Sequence, residues 1–277
     1  MFHVSVRARK GSRLFRTWEE GLALWRILAR TFPELVALCI MPDHIHLLLP
    51  HGDPERRLTH ALAAFARWRN ARRGEHGVVW ADHAPPEALP DPLHARRTHR
   101  YVHLNPCRKH LVADPLAWPL STHRDAVGLA AAPIMARERD PERFHRYVSA
   151  DPTVDVAGSE LPGVTFGDPR LEDVVAAVSA VCRVPTDDLL VRGPARTLAL
   201  KTAAAHGLRD GAVLAARFAV DTRTVQRTTR RTPNRGARLA DEALSACVRA
   251  VGDPRFAALD AGDLRRLPTW ACYRGMR

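Results

Sequence analysis

Lysine is almost missing from this chain. Of 42 basic residues only Lys10, Lys109 and Lys201 are lysines, and the rest are arginine. Cysteine is sparse and badly spaced for a frame. Cys39, Cys107, Cys182, Cys247 and Cys272 are an odd set with no C-x-x-C, which excludes a zinc knuckle and a disulfide scaffold and predicts a reduced, cytoplasmic protein. No run of about eighteen apolar residues occurs, so no membrane span is expected. The opening MFHVSVRARK lacks the continuous apolar core of a signal peptide. A glycine-rich phosphate loop is also missing, which excludes the usual mononucleotide and dinucleotide cradles. No paired-carboxylate site stands out, and Glu19, Glu20 and Glu55 read as helix-start charges.

What remains is ordinary in bulk and unusual in charge. The 277 residues are 46% hydrophobic and 26% charged, enough for at least one core and one or two domains. The formal net charge is +12, carried mainly by arginine, whose planar fork suits phosphate oxygens and guanine edges. Nucleic acid is therefore the expected partner. Because GC-rich coding also enriches arginine and alanine, local clusters weigh more than the total.

Residues 2–8 alternate in the strand manner. Thr17 suits a helix cap, and Leu22, Leu24, Trp25, Leu28 and Ala29 form a helical stripe after it. LVALCIM (35–41) and HIHLLL (44–49) read as two strands joined by a tight turn at Pro42-Asp43. A second helix is predicted over 54–73, with Arg56, Arg57, Arg67, Arg69, Arg72 and Arg73 on its exposed side. Of these, Arg67, Arg69, Arg72 and Arg73 are candidate DNA contacts. The proline-rich stretch 81–93 reads as an irregular loop, and a fourth strand is sought near Val78–Trp80. A third helix contains Tyr101 and meets Pro106. This order predicts an α+β, ferredoxin-like antiparallel sheet with helices on one face. The expected organisation is a first domain over 1–130, a linker over 131–168, a helical domain over 169–255 and a tail over 256–277.

The tripeptide His44-Ile45-His46 carries the most chemistry. On a strand, alternate side chains share a face, so both imidazoles project together and offer a ligand pair to a divalent cation. Two ligands leave the shell incomplete. Tyr101 and Asn105 stand at i and i+4, on one face of a helix, and the Asn105 amide oxygen could be a third ligand. A phenol titrates near 10, and its ionised form becomes more accessible beside a cation and a phosphate. His51, His60, His76, His83, His94, His99, His103 and His110 read as solvated or structural.

MPDHIHLLL (41–49) followed by YVHLNPCRKHLVADPLAWPLS (101–121) resembles the REP-associated tyrosine transposases, a branch of the HUH single-strand nucleases. The two motifs occur in order about fifty residues apart, and the resemblance spans roughly residues 2–125. It implies a ferredoxin-like sheet carrying the histidines. It implies Mg²⁺ or Mn²⁺ held by His44, His46 and Asn105, with Tyr101 as nucleophile on single-stranded, hairpin-forming DNA. The implied products are a 5′-phosphotyrosine link and a free 3′-hydroxyl. The chain departs from the family pattern at Cys107 and Lys109, and in the 81–93 loop, where a basic segment is usual.

Farther on, residues 209–231 read as a helix-turn-helix. Leu214 and Phe218 pack inward, Asp221 caps the next helix, and Val225 returns to the core. Thr222, Arg223, Thr224, Gln226, Arg227, Arg230 and Arg231 would face duplex DNA. Residues 191–250 carry twelve Lys+Arg against four Asp+Glu. The unit resembles the C-terminal DNA-binding domain of replication initiators. Oligomeric state is left open between monomer and homodimer. The rival to an enzyme is a decayed or domesticated relative that holds DNA without cutting it; a His-ligated hydrolase is a third reading, for which no carboxylate base stands near the ligands.

Overall fold

The computed structural model describes residues 1–50, 54–109, 111–112, 114–128, 130, 133–154, 156 and 170–230. Strand β1 (Phe2–Arg7) leads into helix α1 (Trp18–Thr31), then β2 (Ala37–Ile40), β3 (His44–Leu49) and helix α2 (Glu55–Arg73). Two residues, Glu87–Ala88, form β4, and α3 (Pro92–Arg108) follows. The four strands make one antiparallel sheet in the order β2-β3-β1-β4. The mixed α/β architecture agrees with the alternating sequence pattern.

Register decides which residues share a face. Arg7 lies opposite His44, Ser5 opposite His46, and His3 opposite Leu48. Cys39 lies opposite His46 on the other side. The alternate row, Val4, Val6, Leu38, Ile40, Ile45 and Leu47, is fully apolar and buried, in one core with Leu22, Trp25, Leu28, Leu58, Leu62 and Phe65 of α1 and α2. One face is thus hydrocarbon and the other carries imidazoles. The turn at Pro42-Asp43 closes with Met41 N–H donating to His44 O at 2.7 Å, as the sequence predicts.

Thr17 caps α1 in a full capping box. Its hydroxyl accepts from Glu20 N–H, and the Glu20 carboxylate accepts from the Thr17 and Arg16 backbone. The same carboxylate takes the fork of Arg73 at 2.7 Å on both oxygens. Burial works to raise the Glu20 carboxyl, but the Arg73 hydrogen bonds and the backbone donors outweigh it and hold it below its ordinary value. This corrects the reading of α2 as a uniformly exposed basic face. Arg69 is only 4% exposed, bonded to Asn70 and Ser12 and paired with Glu75. Arg73 is an internal tie between α1 and α2. Arg72 is exposed but paired with Glu19, and Arg67 alone of the four candidates is exposed with no charge partner described. The acidic first turn of α1 was visible in the sequence; that it faces the last turn of α2 was not.

Other differences have local causes. β4 falls at Glu87–Ala88, inside the expected loop, while Trp80 makes only a single bridge with Ala8. Trp80 instead packs on Phe65 and donates its indole N–H to Leu62 O. The third helix runs through Pro106 to Arg108. A proline removes one helical hydrogen bond, and burial of Val102, Leu104, Asn105 and Cys107 offsets that loss. Helices lie on both faces, since α3 packs on β2 and β3 over the imidazoles. The open edge of β2 is covered by residues 118–122, with Thr122 N–H donating to Leu38 O and the Trp118 indole to Ile40 O.

The stretch read as a linker contains α5 (Pro141–Ser149), after the short α4 (His123–Ala126). α5 buries Val148 and lays Phe144 and Tyr147 against the main core beside α3. Its polar, proline-started sequence hides an apolar stripe only two residues wide. Beyond it, α6 (Leu171–Cys182), α7 (Pro194–Ala205), α8 (Gly211–Arg217) and α9 (Thr222–Arg230) enclose a second core of Val174, Val178, Leu189, Leu200, Leu214, Phe218 and Val225. The expectations for Arg231, for the helical domain beyond 230 and for the 256–277 tail lie outside the described residues, as does all of 157–168.

Candidate active site

Strand alternation sets both histidines of β3 toward α3, and the sequence folds this way because Ile45 and Leu47 must enter the apolar core. The His44 and His46 rings meet edge-on, 4.9 Å between centroids. The Tyr101 ring stands edge-on to His46 at 5.3 Å. Residues 55 positions apart in the chain therefore share one pocket. Asn105, one helical turn beyond Tyr101, is 1% exposed, and neither its amide oxygen nor its nitrogen has a hydrogen-bond partner among the described residues.

The same is true of one nitrogen on each histidine. His44 Nδ1 bonds Asp43 Oδ1 at 2.6 Å, and His46 Nδ1 bonds His3 Nε2 at 3.0 Å. The Nε2 atoms of both rings are buried and unbonded. A buried polar atom without a partner costs about 1–3 kcal/mol, and two such nitrogens on neighbouring rings, with the Asn105 amide one helical turn from Tyr101, call for an explanation. Two imidazole nitrogens with Nδ1 already engaged, plus an amide oxygen, are a chemically sound donor set for a divalent cation. Among the described residues no group of three or more His, Cys, Asp or Glu side chains is arranged to hold an ion, so the set depends on the Asn105 amide.

Electrostatics favour neutral ligands. Burial first, then His44, His3, Arg7 and Lys109, push His46 well below the ordinary histidine value. For Asp43, burial works upward, but the His44 hydrogen bond, followed by the charges of His44, Arg7 and Lys109, holds the carboxyl below its ordinary value. Arg7 lies 3.8 Å from Asp43. Arg108 reaches over the Tyr101 ring at 5.5 Å and is anchored by Asp151 at 2.8 Å.

Several of these residues escaped the sequence reading. His3 and Arg7 were legible in principle, because β1 alternates and positions 3, 5 and 7 share a face. Lys109 follows Asn105 at i+4 and was noted only as a departure from a pattern. Asp43 was assigned to punctuation. The arginines of α2 are not brought to the pocket: Arg72 and Arg73 turn toward Glu19 and Glu20 of α1.

A second histidine group was also missed. His99, His103 and His123 surround Phe144, with ring centroids 5.2–5.6 Å from it, and His123 bonds His145 at 3.0 Å. Burial pushes His99 down to about 4 and His103 and His123 well below their ordinary value. These rings are folded in neutral form. Between an unfolded value near 6.5 and a folded value near 4, the unfolded chain takes up a proton that the folded chain does not. Stability is therefore full above pH 6.5 and falls as pH drops through that window. For His99 alone the loss at pH 5 is about 2 kcal/mol. Urea unfolding at pH 7 and pH 5 should show that difference shrink by about this amount in His99→Phe; an unchanged pH dependence would contradict the buried neutral ring.

On α9, Asp221 accepts from Thr224 N–H at 2.6 Å and from the Thr224 hydroxyl at 2.9 Å. Val225 is buried, while Thr222, Arg223, Gln226, Arg227 and Arg230 are exposed. Thr224 is half-buried and its hydroxyl is already used, so it is a capping partner and not a free surface donor.

No family model matches the chain. A REP-associated tyrosine transposase of Haemophilus influenzae is 27% identical over 139 residues, covering 45% of this chain and 79% of its own length. A solved REP-associated tyrosine transposase, bound to a REP hairpin, is 27% identical with a TM-score of 0.37, covering 50% of this chain and 86% of its own. In sequence this chain is thus similar to a REP-associated tyrosine transposase.

Proposed function

We propose that this chain cleaves and rejoins single-stranded DNA at hairpin-forming sites, with Tyr101 as the nucleophile and His44, His46 and Asn105 as ligands of Mg²⁺ or Mn²⁺. The observation that carries the reading is the pocket itself: two buried imidazole nitrogens without hydrogen-bond partners among the described residues, beside the Tyr101 ring, whose helix carries the equally unpartnered Asn105 amide one turn on. When bound, the cation would supply charge for a non-bridging phosphate oxygen. His44, steadied by Asp43, and His46, steadied by His3, present lone pairs in fixed directions. Arg7 and Lys109 add positive potential where a phosphate would lie. The Tyr101 oxygen attacks phosphorus, forming a 5′-phosphotyrosine, and the bond to the 3′-oxygen breaks, leaving a 3′-hydroxyl once that oxygen takes a proton. A 3′-hydroxyl from another strand can run the step backward, so no nucleotide cofactor is needed.

The strand order β2-β3-β1-β4, with α1 and α2 as the intervening helices, supports a ferredoxin-like plan for this part. The α8–α9 pair, with Ala219 at positive φ in the turn and the arginines of α9 outward, supports a helix-turn-helix that holds neighbouring duplex. No helix among the described residues is long and apolar enough to cross a membrane.

The test is covalent capture. Incubated with an end-labelled hairpin oligonucleotide carrying a single-stranded flank, the protein with Mn²⁺ should give a denaturant-resistant protein–DNA band, and excess chelator should remove it. A gel shift with no covalent band under any divalent cation would favour the DNA-holding relative instead.

A further inference from the structure

The pocket's two histidines are steadied in different ways. His44 leans on a carboxylate, which can only accept, so its Nδ1 carries the proton and its Nε2 is bare. His46 leans on another imidazole. An N–H···N bond between two neutral rings can run in either direction, and only one direction leaves His46 Nε2 with a lone pair. The near-parallel ring planes, 17° apart, suit an in-plane bond but do not choose between the two.

The choice is made one residue farther out. Glu87 of β4 lies opposite His3 in register, and its carboxylate is 3.6 Å from His3 Nδ1, the atom on the far side of the ring from His46. A carboxylate there favours a proton on His3 Nδ1. The neutral His3 then has a bare Nε2, accepts from His46 Nδ1–H, and frees His46 Nε2.

We propose that His3 is a positioning residue that fixes the tautomer of His46, with Glu87 fixing that of His3, so that His46 presents a bare Nε2 to a divalent cation. The inference rests on the cation-binding reading above. It also gives a use to β4, a two-residue strand whose register sets Glu87 beside His3.

The test uses the full chain and two readouts. ¹⁵N-resolved imidazole spectra of the metal-free protein should show His46 protonated on Nδ1; protonation on Nε2 overturns the proposal. Mn²⁺ titration followed by the loss of the free-ion electron paramagnetic resonance signal should weaken about 10–100-fold in His3→Leu, as loss of an outer partner does elsewhere. His3→Gln, whose amide oxygen can accept the same proton, should recover most of the affinity. Glu87 is 61% exposed on its side chain, so Glu87→Ala keeps the test alive if His3→Leu does not fold; it should shift His46 toward the Nε2–H form and weaken Mn²⁺ severalfold. If His46→Ala loses Mn²⁺ while His3→Leu binds as the wild type does, the proposal fails and the cation reading stands. If His44→Ala and His46→Ala both bind Mn²⁺ as the wild type does, the cation reading fails and this inference with it.

Discussion

Tyr101→Phe should abolish covalent capture of the hairpin oligonucleotide, lowering the rate by at least about 10⁴-fold, because the nucleophilic oxygen is removed and its neighbours cannot replace it. Among the described residues the phenol is the hydroxyl-bearing side chain whose ring meets His46 edge-on. The ring that remains keeps its packing: Phe holds the edge-on contact with His46 and the position beneath Arg108. Hairpin affinity should therefore stay within about twofold, since no charge is lost and phosphate attraction is set by the basic residues. Mn²⁺ affinity should be preserved as well. His44→Ala or His46→Ala should instead lose capture and Mn²⁺ affinity together. A Tyr101→Phe protein that still yields the denaturant-resistant band would transfer the nucleophile to another residue and end the present assignment.

How much of this was legible beforehand follows from the range over which each signal acts. Alternation along β3 is a local property, so the common face of His44 and His46, the opposing core row and the turn at Pro42-Asp43 could be read directly. The i, i+4 relation of Tyr101 and Asn105 is equally local. What the residues alone could not supply was that the two motifs meet; that came from resemblance. Register and long-range pairing are not written in any short window. His3 reaches His46 only because β1 pairs with β3, and Glu87 reaches His3 only because β4 pairs with β1. The arginines of α2 failed for a related reason. Periodicity placed Arg69 and Arg73 on a polar side, but Glu20 in the first turn of α1 lies against Arg73, and Glu75, just past the end of α2, pairs with Arg69, so both become internal ties. The histidines around Phe144 come from α3, α4 and α5, and α5 lay in a stretch whose composition reads as a connection.

The last of these long-range ties predicts the largest effect on stability. Arg183 follows α6 at a left-handed φ of 60°, where glycine is usual, and turns its guanidinium into the first core. There it forks onto Asp125 at 2.7 and 2.5 Å, donates to Ser121 O at 3.1 Å, and lies 3.8 Å from the centre of the Trp25 ring. Asp125 also accepts from Ile134 N–H. Both charges are almost wholly buried, so neither can be left alone cheaply. Asp125→Ala strands a guanidinium against an indole, and Arg183→Ala strands a carboxylate; each should cost about 3–5 kcal/mol. At roughly 2–4 °C per kcal/mol for a chain of this size, the melting point should fall by about 10 °C. Arg183→Gly should fall less than Arg183→Ala, because glycine relieves the left-handed backbone while losing the same pair. The pair also joins α6 to the first core through α4 and α1, so limited proteolysis of either alanine variant should release the 170–230 helices faster than in the wild type. Melting within a degree or two of wild type in both alanine variants would mean that the buried fork contributes no net stability and that apolar packing of α1 on α6 joins the two cores unaided.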